Sequence, residues 1–248
     1  MELTSVKPTR PGRLTVTELD ALSAYAARAT WPAGFTIYQR GAPADGVFVV
    51  LRGRVVLRSR VKAGRGFIPA IAGPGETFGG EGLGAGATCA TDARAEEECE
   101  TFHLSAERFR ALTRERPAHA FALVGQVMHQ HGVLLERLRE LATLSVEQRL
   151  VTTLLRLRDQ GALGEEAEGR TVLDGPQYRL LCEMVGATRE SVSIVVNRLI
   201  GDGLARRHGA GFMVPSLPDL VVRAGASLRG DLVMPIGVET DADGRLRA

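Results

Sequence analysis

The sequence is poor in cysteine, in long apolar runs and in net charge, and each shortage argues against a class of protein. Its three cysteines, Cys89, Cys99 and Cys182, form no CxxC pair, which argues against a disulfide framework and a zinc ribbon. No apolar run reaches the roughly 18–20 residues that a membrane span needs. The first residues also lack the apolar core of a signal peptide. We therefore predict a cytoplasmic protein with no membrane partner.

Catalytic patterns are lacking as well. No nucleophile–base constellation and no metal-ligand spacing is found, so we predict a protein that is not an enzyme. The segment 82–87 fits a loose GxGxxA dinucleotide-binding pattern, but no apolar strand precedes it and no amphipathic helix follows it. The net charge of +2 does not by itself predict a nucleic-acid partner, so a DNA-binding protein of this composition has to place its positive charge locally.

The N-terminal half changes pattern near residue 31. Apolar spacing predicts a short amphipathic helix over about residues 15–28, with Thr15 and Glu18 as a capping box. From about residue 35 to 104, short runs rich in Val, Ile, Phe and Thr are cut by glycines, which predicts a small antiparallel barrel or jelly roll. Residues 47–57 are interpreted as two strands joined by a tight turn at Gly53.

The longest periodic segment, residues 117–144, predicts a helix with an apolar seam of coiled-coil type. Such a seam indicates a homodimer, although a helix packed on its own barrel stays open as an alternative. Met128, Leu135 and Ala142 form a row beside the seam. The predicted seam residues are Val124, Val127, His131, Leu134, Leu138 and Leu141.

The fold class predicted from these patterns is α+β: an antiparallel β-roll (jelly-roll) domain, a long dimerisation helix and a C-terminal winged helix-turn-helix. A capping-box signature at Ser145–Gln148 opens the last domain. The predicted divisions are residues 1–30 (helical segment), 31–116 (sensor roll), 117–144 (dimerisation helix), 145–223 (DNA-binding domain) and 224–248 (poorly ordered tail). Within the DNA-binding domain, residues 159–169 are interpreted as a polar loop.

The most specific signal is a helix-turn-helix at residues 178–197. Cys182 is the small residue where the helices cross, and Gly186 supplies a left-handed turn. Thr188 is the predicted N-cap of the second helix, whose first turns present outward side chains to base edges in the major groove. The inward positions that lock the helices together are Leu181, Val185, Ala187, Val192 and Val195.

Two groups of residues are predicted to contact DNA. Arginine donates to guanine O6 and N7, and glutamate accepts from cytosine N4, which makes the exposed start of the second helix suitable for base contacts. Residues 202–214 are interpreted as a β-hairpin wing with arginines for phosphate contacts. The predicted DNA-binding residues are Thr188, Arg189, Glu190, Ser193, Ile194, Arg198, Arg206 and Arg207.

These features resemble the CRP/FNR family of bacterial regulators over about residues 31–214. Residues 185–192 look like the family's recognition segment, residues 78–81 like the start of its phosphate-binding cassette, and residues 51–55 like its second glycine turn. The resemblance implies a homodimeric transcription regulator on a pseudo-palindromic DNA site, with RNA polymerase as a further partner. Where family members of the cyclic AMP type carry a further arginine on the recognition helix, this chain has Ile194, which predicts the loss of one base preference.

The ligand pocket departs from the family pattern in more than one place. Glu81 matches the glutamate that meets the ribose, but Cys89 falls where the phosphate-binding arginine is expected, and Leu134 and Leu135 fall on the adenine-facing positions. A phosphate without its arginine loses a charge-assisted contact. We therefore predict that DNA binding requires no cyclic AMP and no other cofactor. Arg94 could take the place of the missing phosphate-binding arginine only if its side chain pointed into the roll.

Other uses of the roll are weighed against this prediction. The iron–sulfur branch of the family carries clustered cysteines, usually near the N-terminus, whereas no cysteine of this chain precedes position 89, which argues against an iron–sulfur cluster. A ligand-gated regulator that uses cyclic nucleotide or haem is an alternative, with Cys89, His119, His129 and His131 as possible haem ligands. A protein of another class, a cyclic-nucleotide-type binding module that regulates a partner protein, is the second alternative. The strong helix-turn-helix counts against the latter.

Overall fold

The structure is a computed structural model, and it describes residues 12–60, 66–159, 164–166 and 170–225. It has an α+β fold in which two antiparallel sheets form an N-terminal roll, followed by a long helix and a helix-turn-helix domain. The elements are α1 (Val16–Ser23), β1 (Ala27–Trp31), β2 (Thr36–Tyr38), β3 (Gly46–Arg52), β4 (Val55–Arg60), β5 (Gly66–Ala72), β6 (Thr77–Gly82), β7 (Asp92–Ala95), β8 (Cys99–Leu104), α2 (Ala106–Glu115), α3 (Pro117–Thr143), α4 (Val146–Asp159), β9 (Gly164–Glu166), β10 (Arg170–Leu173), α5 (Gly175–Val185), α6 (Arg189–Gly201), β11 (Arg206–His208), β12 (Gly211–Val214) and α7 (Leu217–Gly225).

The N-terminal helix begins as predicted but ends earlier. The side chains of Thr15 and Glu18 form the capping box, and α1 stops at Ser23. The helix predicted up to residue 28 is wrong at its end, because residues 27–31 form β1 and pair antiparallel with β8. Trp31 Nε1 also donates to Thr101 Oγ1 at 2.9 Å. Pairing with a strand about 70 residues further along the chain therefore overrides the local helical spacing.

The roll consists of two four-stranded sheets, ordered β1-β8-β3-β6 and β2-β7-β4-β5. The chain does turn at Gly53, where φ is 79°, but β3 and β4 lie in different sheets. A Cβ atom at this position would lie 2.5 Å from the carbonyl oxygen of Glu98, so the turn requires glycine. The interior between the sheets is apolar, with Phe48 stacked on Phe78 at a centroid distance of 4.9 Å.

The long helix α3 packs one face against the roll. Leu123 is fully buried there. Gln126, also buried, accepts from the backbone N–H of Thr77 at 3.0 Å and donates to the carbonyl of Gly12 at 2.8 Å. This face of α3 is therefore fixed to the roll and to the segment that precedes α1.

The C-terminal domain contains more regular structure than the sequence patterns indicate. The capping box at Ser145 and Gln148 opens α4 as predicted. The loop predicted over residues 159–169 contains β9, which pairs with β10; residues 160–163 and 167–169 lie outside the described part. The predicted tail from residue 224 begins inside α7, where Ala224 is buried, and residues 226–248 of that tail also lie outside the described residues.

The roll and the DNA-binding domain share a junction with α3. Val56 and Ile68 of the roll join the apolar cluster of the helix-turn-helix domain. Arg58 Nε lies 2.8 Å from Glu183 Oε2 on α5, an ion pair without hydrogen-bond geometry. At the end of α3, Leu141 packs against the turn at Gly186, where a Cβ atom would lie 2.7 Å from Leu141 Cδ2.

A buried ion-pair network lies at the same junction. Glu140 accepts from Arg137 Nη1 at 2.7 Å and from Arg156 Nη2 at 2.5 Å, and Arg137 also donates to the carbonyl of Met184. Arg137 and Glu140 are both almost fully buried. Burial lowers the pKa of Arg137, and the nearby Arg156 cation lowers it further. This network ties α3, α4 and α5 together.

Candidate functional site

The helix-turn-helix forms as the sequence predicts. α5 has a capping box of Asp174 and Gln177, and it ends at Gly186, whose φ of 66° and ψ of 37° are left-handed. Thr188 is the N-cap of α6, since its Oγ1 accepts from the backbone N–H of Ser191 at 3.2 Å. The crossing residue Cys182 is buried, and burial raises the pKa of its thiol. The locking residues Leu181, Val185, Val192 and Val195 are also buried, whereas Ala187 is half-buried.

The outer face of α6 carries most of the predicted base-contacting side chains. Arg189, Glu190, Ile194 and Arg198 are exposed, whereas Ser193 is half-buried. The Ser193 hydroxyl interacts with Tyr178 of α5, so it faces the neighbouring helix in part. The Thr188 hydroxyl is committed to the N-cap. The exposed surface of the first two turns of the helix therefore consists of a cation and an anion, followed by an isoleucine one turn later.

The first turn of α6 keeps Glu190 ionised. Hydrogen bonds from its own backbone N–H and from the Thr188 hydroxyl lower the pKa of this carboxyl, and the Arg189 cation lowers it further. The N-terminus of a helix also favours negative charge. Glu190 is consequently a hydrogen-bond acceptor at neutral pH, as a contact to cytosine N4 requires.

The wing lies beside the recognition helix. β11 and β12 pair antiparallel, as predicted, and β12 continues the sheet through β10 to β9. Arg206 and Arg207 are exposed on β11. Arg207 Nη2 donates to Asn197 Oδ1 on α6 at 2.9 Å. Asn197 was not among the DNA-binding residues predicted from the sequence, although its position three residues after Ile194 indicates that it shares the outer face.

Arg198 has partners within the protein. Its Nη1 lies 3.5 Å from Glu147 Oε2 on α4, and Arg223 Nε of α7 lies 3.7 Å from the other oxygen of the same carboxylate. These are surface ion pairs, which are weak and exchangeable. They leave Arg198 able to pair with a phosphate instead.

The face of α3 directed away from the roll is apolar and exposed. Its exposed side chains alternate at three and four residues, which is the spacing of a coiled-coil seam. Two of the residues that the sequence assigned to the seam contact their own chain instead: Val127 lies against Gly80, and Leu141 lies against Gly186. The exposed row is Phe121, Val124, Met128, His131, Leu135, Leu138 and Ala142, and the predicted seam residue Leu134 is exposed beside it. Phe121 extends this row beyond the seam that was predicted from the sequence.

The pocket predicted from the resemblance holds a carboxylate at the position matched to the ribose contact and a thiol at the position matched to the phosphate contact. Glu81 accepts from the backbone N–H of Ala90 at 3.4 Å, and Cys89 is buried. Burial raises the pKa of the Cys89 thiol, and the Glu81 carboxylate raises it further, so the thiol is protonated and neutral. Leu134 and Leu135 are both exposed on α3.

Arg94 does not turn inward. It is exposed on β7 between the buried Ala93 and Ala95, and its guanidinium lies near Gly34 on the outside of the roll. The histidines considered for haem are also placed: His129 lies against Gly12, and His131 lies on the exposed row of α3. In the described part of the chain, no cluster of three or more metal-ligating side chains is found, and no helix has the length and apolar character of a bilayer span.

Comparison with known proteins matches each half of the chain to a known domain family. Residues 28–116 match the cyclic nucleotide-binding domain model, and residues 148–221 match the Crp-like helix-turn-helix domain model. The chain belongs to the CRP/FNR family. It is thus a transcription regulator with a helix-turn-helix DNA-binding domain.

The alignments with individual relatives cover most of this chain and most of each relative. The cAMP-activated global transcriptional regulator CRP of Haemophilus influenzae is 27% identical over 74% of this chain and 82% of its own length. Vfr of Pseudomonas aeruginosa, a regulator of the same description, is 28% identical over 79% of this chain and 92% of its own.

Solved structures agree on the fold. A CRP/FNR family transcriptional regulator from Thermus thermophilus has a TM-score of 0.68 at 26% identity, covering 80% of this chain and 98% of its own. The c-di-GMP responsive global regulator CLP of Xanthomonas campestris has a TM-score of 0.70 at 23% identity, covering 82% of this chain and 100% of its own. The latter likeness concerns the fold alone.

Proposed function

We propose that the protein binds a pseudo-palindromic DNA site as a homodimer, with the α6 helices of the two protomers in successive major grooves, and that this binding needs no cyclic AMP. The observation that carries the proposal is the exposed first turn of α6, where Arg189 and Glu190 open the second helix of a formed helix-turn-helix. An arginine and an ionised glutamate there match the major-groove edge of a G·C pair. The relevant compartment is the bacterial cytoplasm, and RNA polymerase stays a predicted partner.

The exposed row on α3 supports the homodimer. Its large apolar side chains, Phe121, Val124, Met128, Leu135 and Leu138, are between 38% and 80% exposed. Burial of such side chains contributes about 25 cal/mol per Å² of apolar surface. A second copy of the same helix offers a complementary apolar row, because a two-fold interface pairs a surface with itself.

The pocket residues support independence from cyclic AMP. A cyclic phosphate is a monoanion, and the matched position holds the neutral thiol of Cys89. Arg94, the nearby replacement, lies on the outer surface of the roll. These residues do not fit a cyclic nucleotide held through its phosphate.

Selection of bound fragments from random duplex DNA tests the proposal. The full chain is used without nucleotide and with cyclic AMP, and the selected site is then measured by fluorescence anisotropy. We expect one two-fold symmetric site in both selections and the same affinity under both conditions. Absence of a selected sequence would overturn the DNA-binding proposal, and enrichment only with cyclic AMP would support the ligand-gated alternative.

The dimer is tested separately by light scattering after gel filtration. Leu138→Glu places a charge in the exposed row of α3, and we expect it to halve the mass of the particle. Val222→Glu is the matched control, since Val222 is 69% exposed on α7, away from this row. A dimer that survives Leu138→Glu, or a monomeric wild type, would refute the assigned interface.

A further inference from the structure

Ile194 is an apolar side chain on an otherwise polar DNA-facing surface. It is 62% exposed and lies one helical turn after Glu190 and about one turn before Asn197 and Arg198. The neighbouring exposed residues of α6 are all polar or charged. An isoleucine in this position gains free energy only when another apolar surface covers it. In the major groove, the apolar group that a base pair offers is the C5-methyl group of thymine.

Asn197 has a fixed orientation next to this isoleucine. Its Oδ1 accepts from Arg207 Nη2 at 2.9 Å. A guanidinium has only donors, so the amide oxygen, and not the NH2 group, has to face the arginine. An asparagine with both groups free binds adenine through N6 and N7. The oxygen keeps a second lone pair, but its contact with Arg207 disfavours the bidentate geometry that adenine requires, so the NH2 group is the part of Asn197 that is free to donate in the groove.

Residues three apart are neighbours on a helix surface, so Ile194 and Asn197 together offer a methyl-covered surface beside an N–H donor. Thymine carries the matching pair on its major-groove edge, the C5-methyl group and the O4 acceptor. We propose that Ile194 and Asn197 read one thymine in each half-site, with Ile194 against the methyl group and Asn197 donating to O4. This proposal rests on the proposed DNA-binding function.

The other bases match this pair less well. Cytosine and adenine each present an amino group at this place in the major groove. That donor would face the apolar Ile194 and the NH2 group of Asn197, neither of which accepts a hydrogen bond. An unpaired donor that loses its water is costly. Guanine offers acceptors but no methyl group. The two side chains therefore favour thymine over each alternative.

Deoxyuridine provides the direct test, since it keeps O4 and base pairing but lacks the methyl group. In the selected site, each thymine of one half-site is replaced in turn, and the affinity of the full chain is measured by anisotropy. At one position we expect about fourfold weaker binding, the factor that corresponds to one buried methyl group. Ile194→Ala is expected to bind the thymine and deoxyuridine sites equally, while Ile194→Val retains most of the difference.

Arg207→Ala tests whether the contact with Arg207 limits how Asn197 binds a base. Without that contact, Asn197 is expected to form the bidentate pair with adenine at the same position, so the penalty for a thymine-to-adenine change shrinks. Arg206→Ala, next to it on β11, weakens binding to all sequences evenly and leaves this penalty unchanged. Equal affinity for thymine and deoxyuridine at every position, or methyl sensitivity that persists in Ile194→Ala, would overturn the inference. A wild type without any sequence-specific binding would refute the proposed function itself.

Discussion

The helix-turn-helix and the sensor roll differ in which polar groups they provide. In the helix-turn-helix, Arg189 and Glu190 are exposed at the start of α6, and Thr188 caps that helix. In the roll, the position matched to the phosphate-binding arginine holds the buried Cys89 beside the Glu81 carboxylate. The packing residues of both halves nevertheless form apolar clusters. The difference teaches that a few side chains decide ligand chemistry, while the fold depends on many apolar ones.

The largest expected effect concerns the junction between these two regions. Glu140→Gln removes the acidic partner that Arg137 of α3 and Arg156 of α4 share, and it leaves these two cations without a carboxylate between them. Breaking a buried ion pair in this way costs about 3 kcal/mol of the free energy of unfolding. Urea denaturation followed by circular dichroism measures the change.

Glu136→Gln is the matched control for that experiment. Glu136 pairs with Arg139 on the exposed side of the same helix, at 2.7 Å. A surface pair of this kind contributes less than about 1 kcal/mol. If the two variants lose the same stability, the Glu140 network does not hold the two regions together.

The next effect isolates base recognition by the helix-turn-helix. Arg189→Ala is expected to weaken binding to the selected site by about 1–3 kcal/mol and to relax the preference at one base pair per half-site. Arg114→Ala, an exposed arginine of α2 far along the chain from α6, is the control. Anisotropy on the selected site and on single-base variants checks both. An unchanged sequence preference in Arg189→Ala would remove this residue from the base contacts.

A smaller effect is expected at the start of the recognition helix. Thr188→Ala removes the hydroxyl that accepts from the Ser191 N–H, and the loss of such an N-cap costs about 1 kcal/mol of stability. Thr188→Ser keeps the hydroxyl and is expected to restore the wild-type value. Thermal denaturation of both variants makes the comparison, and equal destabilisation by alanine and serine would contradict the capping role.

The smallest effect is expected in the roll. Glu81→Gln removes the carboxylate that matches the ribose contact of the family, and we expect the affinity for the selected site to change by less than about 0.5 kcal/mol. Isothermal titration with cyclic AMP is expected to give no heat of binding for either protein. A large loss of DNA affinity in Glu81→Gln would show that the pocket controls the DNA-binding domain.

The parts of the fold that the sequence predicted are those with local signals. Gly186 and Thr188 define the turn and the cap of the helix-turn-helix within three residues, so these elements were found directly. β1 was missed because its partner strand lies about 70 residues away, as the contact of Trp31 with Thr101 shows. α7 was missed although local signals mark it: Ser216 accepts from the backbone N–H of Asp219 at 3.3 Å, and Leu217, Leu220, Val221 and Ala224 follow helical spacing. The glycine- and charge-rich composition that follows obscured these signals.

The same distinction applies to the candidate site. Helical periodicity identified the apolar face of α3, but it did not show that Val127 and Leu141 contact their own chain, since that depends on where the roll and the turn at Gly186 lie. The contact of Arg207 with Asn197 likewise depends on the position of the wing relative to α6. Such contacts between elements leave no spacing signal in the sequence.

Binding of the full chain to its selected operator, measured by anisotropy with and without cyclic AMP, tests the central claim most directly. The account predicts one saturable curve with the stoichiometry of two chains per duplex, unchanged by the nucleotide. Binding that appears only after cyclic AMP is added, or with one chain per duplex, would contradict it.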